Sequence, residues 1–175
     1  MNFKKNFKLS EVEFIHFTNL ISKEKELVLK LRNSEVIRKG MFGDNIISLD
    51  EHLGFIETLR QDMNSAYWMV KDKAGSFIGV FDLTRIDLPH KHAYLGIYAN
   101  IKSGRRGQGS LIMSAGKELV FQHAKFHTLK LEVLKENLPA IRFYEKHGFK
   151  LEGVLSDLVY KDNKWHDVVV MGALG

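Results

Sequence analysis

One short connection constrains this chain more than any other stretch. Ser103-Gly104-Arg105-Arg106-Gly107-Gln108-Gly109-Ser110 joins an apolar, strand-like run, Ala93 to Tyr98, to a helix-like run marked by Leu111, Ile112, Ala115 and Leu119. Glycines lose more freedom on folding than other residues, and they suit places where a backbone must turn tightly or approach something closely. Amides left free at a helix start, together with the positive end of the helix dipole, make a phosphate site. Gly107 and Gly109 would admit a diphosphate, and Arg105 or Arg106 would neutralise it.

Three phosphate-binding designs compete for such a loop. A P-loop needs Lys followed by Ser or Thr after its last glycine, whereas Ser110-Leu111 follows Gly109. A dinucleotide fingerprint needs a third glycine where Ile112 stands, although Glu132 lies near the ribose-binding offset. Topology weighs further against it, because the preceding segments read as antiparallel hairpins rather than a βαβ unit opening a domain.

Those segments follow from periodicity and turn chemistry. Val12 to Asn19 reads as a strand, and Lys23 to Asn33 as a helix with Leu27, Val28 and Leu31 on one face. Ser34 to Ile47 is polar, bears glycine and reads as a loop. Ser48 and Glu51 form a capping box before Leu49, Leu53, Ile56 and Leu59, so a second helix starts at Ser48 or Leu49. Ala66 to Val70 and Ser76 to Thr84 form a hairpin around Lys71 to Gly75; the turn Leu88 to His92 then leads to Ala93. After the glycine loop come its helix, a strand at Thr128 to Leu134, and a helix at Leu138 to Lys146 with Pro139 in its first turn and Gly148 at its end. Phe149 to Tyr160 and Lys164 to Ala173 make a last hairpin turned at Asp162-Asn163. The sum is an α+β chain of about seven strands and four helices.

Composition bounds the function. A chain of 175 residues, 45% hydrophobic and 27% charged, suits one soluble domain spanning 1–175. The lack of cysteine excludes disulfides, thiolate zinc sites and an acyl-cysteine intermediate. Neither a signal-like leader nor a run of about 20 apolar residues is evident, which reads as cytoplasmic. A net charge of +5 suits an anionic small molecule, but no basic run interleaved with aromatics suggests nucleic acid. His123 and His127 have the spacing of zinc histidines, but Ala124 stands where the catalytic glutamate would be; no metal is expected. His90-Lys91-His92 in its turn lacks a third ligand.

The stretch Gly104 to Gly109 resembles the Gln/Arg-x-x-Gly-x-Gly/Ala loop of the GCN5-related N-acetyltransferases, departing from it at Gly104. A second signature of that family follows: Asn137-x-x-Ala140-x-x-Phe143-Tyr144-x-x-x-Gly148-Phe149. Further segments, including Phe17 to Leu20, Arg32-Asn33, Ile47 to Leu53, His90 to Tyr98 and Leu131 to Val133, are similar to the N-acetyltransferases of pseudaminic acid biosynthesis. The Arg-Asn and Glu-His pieces also occur in the ribosomal-protein alanine branch. The resemblance implies a mostly antiparallel, twisted sheet and acetyl-coenzyme A as cosubstrate. It implies transfer to the 4-amino group of a UDP-linked 4-amino-4,6-dideoxy sugar on the way to flagellin glycosylation. The alternatives are a protein α-amine as acceptor, or a binding module without turnover. A second copy of the chain is a further expected partner; nucleic acid and membrane are not.

Residue roles come with the resemblance. Tyr144 would protonate the departing thiolate. Leu95, Ile97 and Tyr98 would hold the thioester along a splayed strand, with Gly96 easing a bulge or simply allowing close packing. Arg105, Arg106, Gly107, Gln108, Gly109, Ser110 and Asn137 would bind the coenzyme. Arg32, Asn33, Met41, His52, Trp68 and Thr84 would bind the nucleotide sugar. The base stays open among Asp82, Glu132, His90 and His92.

Overall fold

The computed structural model describes residues 2–9, 11–100 and 106–175. One sheet of eight strands runs through it in the order β1-β2-β3-β4-β5-β6-β8-β7. Its strands are β1 (Phe7–Lys8), β2 (Val12–His16), β3 (Ala66–Asp72), β4 (Phe77–Asp87), β5 (His92–Ala99), β6 (Thr128–Leu134), β7 (Lys150–Lys161) and β8 (Lys164–Leu174). The helices are α1 (Ser22–Arg32), α2 (Glu35–Gly40), α3 (Leu49–Thr58), α4 (Gln108–Lys117) and α5 (Leu138–Lys146). Every neighbouring pair of strands is antiparallel except β5 and β6.

Strand alternation divides the apolar residues between the two faces of the sheet. Trp68, Val70, Phe81, Leu83, Ala93 and Leu95 point to the α4 side, where Ile112, Met113 and Leu119 complete the main core. Met69 and Val80 point the other way and meet Val28 of α1 and Ile56 of α3. Trp68, Phe14 and Phe81 are fully buried, each contributing about 1.5–3 kcal/mol of burial.

Local signals account for most element ends. Ser48 Oγ accepts from the Glu51 amide at 3.2 Å and Glu51 Oε2 accepts from the Ser48 amide at 2.7 Å, so the capping box starts α3. Asn137 Oδ1 accepts from the Ala140 amide at 3.3 Å and starts α5. Gly148 ends the same helix at φ 84°, and Asp162 and Asn163 turn the last hairpin at φ 51° and 60°.

The structure departs from the sequence reading in three places. The strand expected over Val12 to Asn19 ends at His16, where the His16 ring and Thr18 hydroxyl meet at 2.8 Å over a 3₁₀ turn. The stretch 34–47 holds α2, a helix of six residues with none buried, which leaves no apolar stripe in the sequence to announce it. The two-residue β1 adds the eighth strand, too short to show alternation. Helix α4 runs into a π-helical turn at Glu118–His123, within which Leu119 and Val120 are buried.

Candidate active site

β5 and β6 pair only over His92 to Tyr94 with Thr128 to Lys130. Beyond Tyr94 the two strands part, and β5 stays paired on its other side with β4. In an antiparallel ladder successive residues direct their amides to opposite sides, so alternate amides of Leu95 to Ala99 face the gap. A cavity of about 590 Å³ is lined by Leu95 to Tyr98 of β5, Glu132 and Val133 of β6, and Asn137 and Tyr144 at α5. It continues beneath α1, α2 and α3, where Arg32, Met41, His52 and Phe55 form its other walls, with Asp82 and Tyr67 from the sheet.

Asp82 is the most perturbed acid of the cavity. Its carboxyl sits on β4 opposite Gly96 of β5, and burial pushes its pKa up from 3.8 to about 7. Gly96 makes the space: a Cβ there would lie 2.6 Å from Asp82 Oδ1. The register is regular at this pair, so the glycine serves close packing and the expected bulge is absent; the strand's divergence from β6 starts after Tyr94 instead.

Tyr144 is 9% exposed, with its ring edge-on to Phe143 and Phe149. Burial, and then the Asp82 charge, raise its hydroxyl to about 12, so the phenol remains protonated throughout the neutral range. Tyr98 and Tyr67 are raised by burial and by Asp82 as well. Glu132 lines the cavity, but its two oxygens are held by the Arg85 guanidinium at 2.6 and 3.1 Å. His90 and His92 lie outside the cavity lining, on either side of Asp87, which places them away from Asp82.

On the opposite wall, Arg32 Nη1 is buried and has no hydrogen-bond partner among the described residues. His52, 4% exposed, donates Nε2–H to the Lys25 carbonyl at 3.1 Å, and burial lowers its pKa. Met41 lines the cavity beside them. Three other residues expected to meet the acceptor, Trp68, Asn33 and Thr84, lie outside this cavity lining. Trp68 is fully buried on the α4 face, among Phe3, Phe7 and Phe14, with its indole N–H on the Lys5 carbonyl at 2.9 Å. Alternation along β3 turns it away from the cavity, toward which Tyr67 points instead. Asn33 grips the backbone of Ile47 through both its carbonyl and its amide, at 3.0 and 2.8 Å, closing the 34–47 segment like a clasp. Thr84 falls outside the lining, two residues beyond Asp82.

At the glycine loop, Gly107 is the N-cap of α4 at φ 82°, and no atom of the described residues crowds the place of its missing Cβ. Backbone conformation, not packing, calls for glycine there. The first turn of α4 has no acidic residue and Gly107 brings no side-chain cap, so the positive end of this helix favours an anion. Gln108 turns its side chain into the fold, 6% exposed. Ser110 Oγ lies 3.0 Å from His147 Nε2, and Arg106 is exposed. Gly104 and Arg105 lie outside the described residues. Among the described residues no cluster of three or more His, Asp or Glu is placed to hold a metal ion.

A mostly antiparallel sheet that opens between its parallel pair, with a left-handed glycine capping the next helix, places the chain in a family of acyl-transferring enzymes. The chain belongs to the GNAT acetyltransferases: the model of the acetyltransferase (GNAT) domain matches residues 25–170. It is an enzyme that transfers acetyl groups, with acetyl-CoA as cosubstrate, and the N-terminus of α4, with no acidic residue in its first turn, fits that molecule's phosphates. Acetyltransferase PseH of Campylobacter jejuni subsp. jejuni serotype O:23/36 (strain 81-176) is 32% identical over 140 residues, 80% of this chain and 85% of that one. A crystal structure of Campylobacter jejuni PseH in complex with acetyl coenzyme A superposes with a TM-score of 0.70 at 28% identity, covering 93% of this chain and 98% of that one. Spermidine N-acetyltransferase of Vibrio cholerae, in complex with CoA and spermine, shares the fold with a TM-score of 0.84 at 23% identity, over 95% and 96% of the two chains. The likeness to PseH supports an N-acetyltransferase.

Proposed function

We propose that the protein, as one domain, acetylates the 4-amino group of a UDP-linked 4-amino-4,6-dideoxy sugar by direct attack of the amine on the thioester. The observation that carries this reading is the buried Arg32 Nη1, without a hydrogen-bond partner among the described residues at the cavity wall. A buried guanidinium N–H with no acceptor is costly, and a phosphate oxygen of the substrate relieves that cost. A polyamine would meet the same arginine as a like charge. The chain's similarity to PseH supports the choice of a sugar nucleotide over a protein α-amine.

Acetyl-CoA supplies the activated thioester, and the rest is done by this chain. The amides at the start of α4, with Arg106, hold the diphosphate. The gap-facing amides of Leu95 to Tyr98 hold the thioester carbonyl and stabilise its developing negative charge. Asp82, with a pKa near neutrality, takes the proton that the acceptor amine must lose, directly or through water. Tyr144 donates its proton to the departing thiolate; the dry surroundings that weaken the phenol as an acid raise the thiol in the same direction. Glu132 is a poorer base because Arg85 already holds both of its oxygens. A cytoplasmic location and self-association as a homodimer are part of this proposal.

Release of free thiol with a panel of acceptors tests it. Turnover is expected with the UDP-linked 4-amino sugar, and not with spermidine or a peptide starting with alanine. Arg32→Met should raise the KM for the sugar nucleotide about ten-fold or more while leaving that for acetyl-CoA in place. Equal or better turnover of spermidine would overturn the reading.

A further inference from the structure

Helix α2 supplies Val36, Ile37 and Gly40 to the cavity wall, with Met41 just after it. Yet it has six residues, none of them buried, and helices so short do not hold themselves together in water. Its own polar ties are mostly local: Arg38 donates to the Asn33 carbonyl at 3.1 Å and to the Asp44 carbonyl at 2.7 Å, both within the same segment. What fixes α2 to the sheet comes from the far end of the chain. Lys161, the last residue of β7 and 8% exposed, directs its ammonium into the C-terminal end of α2. Nζ donates to the carbonyls of Arg38, Lys39 and Met41 at 3.0, 3.2 and 2.9 Å.

These bonds use all three donors of an ammonium. They give the Lys39 and Met41 carbonyls a donor at the helix end, join the Met41 amide on the Arg38 carbonyl, and place a positive charge at the negative end of the helix dipole. The lever is itself held, because the buried His166 ring donates Nε2–H to the Lys161 carbonyl at 3.1 Å. The tight turn at Asp162 and Asn163 fixes the direction of the strand that carries it.

We propose that Lys161 is a positioning residue for the acceptor: by clamping α2 against the sheet it sets the wall that holds the sugar nucleotide, without touching the reacting atoms. The inference rests on the reading that this part of the cavity takes the acceptor. Removing the ammonium while keeping the aliphatic stem, Lys161→Met, frees α2. Amide hydrogen exchange over residues 36–41 should then speed up about ten-fold or more, and the KM for the UDP-linked 4-amino sugar should rise by a similar factor, with the KM for acetyl-CoA unchanged. Lys161→Gln, which keeps two donors and loses the charge, should fall between; it carries the test if Lys161→Met does not fold. Unchanged exchange over α2 would overturn the clamp, whatever the acceptor is. Faster exchange with the sugar KM unchanged, or with both KM values raised alike, would overturn the positioning role. If the wild-type enzyme fails to use the sugar at all, the functional reading falls, and the exchange measurement still decides the clamp.

Discussion

Replacing Asp82 with Asn tests the site through two independent readouts. Burial raises this carboxyl from 3.8 to about 7, so the folded protein holds the proton more tightly than the unfolded chain does. Stability linked to this group is therefore fully present below 3.8, falls as the pH climbs toward 7, and stays at its lower level beyond. A shift of that size corresponds to something on the order of 4 kcal/mol. Asn copies the neutral acid in shape, so Asp82→Asn should be more stable than wild type in urea melts at pH 8, by up to about 4 kcal/mol, and nearly equal to it near pH 4. Activity should move the other way. For wild type, kcat/KM is expected to rise about ten-fold per pH unit below 7 and to level above it, as the carboxylate becomes available as base. The variant should lose roughly 10²–10⁴-fold of the plateau rate together with that rising limb. A limb that survives in Asp82→Asn belongs to the acceptor amine and removes Asp82 from the base role. A variant no more stable at pH 8 than wild type refutes the claim that burial holds the acid neutral.

Tyr144→Phe should lower kcat by about 100-fold or more while coenzyme A binding, measured by calorimetry, stays near that of wild type. Gly96→Ala should bring its methyl onto the Asp82 carboxyl and force a shift, costing about 1–3 kcal/mol in thermal melts and most of the activity. Gly107→Ala has room for its side chain but must hold φ 82°, so about 1–2 kcal/mol of strain is expected, with a raised KM for acetyl-CoA and little change in that for the acceptor.

The family was legible because its marks are local. Gly107 at the head of α4, the Ser48–Glu51 box, Asn137 with Pro139, Gly148, and Asp162-Asn163 each act within a few residues, through backbone preferences that the chain carries with it wherever it folds. Alternating and helical apolar patterns likewise gave the strands and the longer helices. Tyr144, Arg32 and His52 could be nominated by resemblance, and the fold brings all three to one cavity.

What stayed hidden depends on neighbours distant in sequence. Alternation says that Trp68 and Tyr67 face opposite ways, but not which of the two layers holds the cavity; only the packing of α4 against one face and of α1 and α3 against the other decides that Trp68 is core. Asp82 reads as an ordinary strand carboxylate until Gly96, on the next strand, is seen to make its dry niche. Helix α2 has no apolar stripe of its own, and its anchor is a lysine more than a hundred residues away. The sequence by itself determined the longer strands and helices and the glycine turn at Gly107, since those arise from short-range sterics and periodicity. The tertiary structure alone decided which carboxyl is desolvated, which arginine keeps a buried nitrogen without a hydrogen-bond partner among the described residues, and how α2 is held to the sheet, because solvation and long-range pairing exist only after the layers have closed.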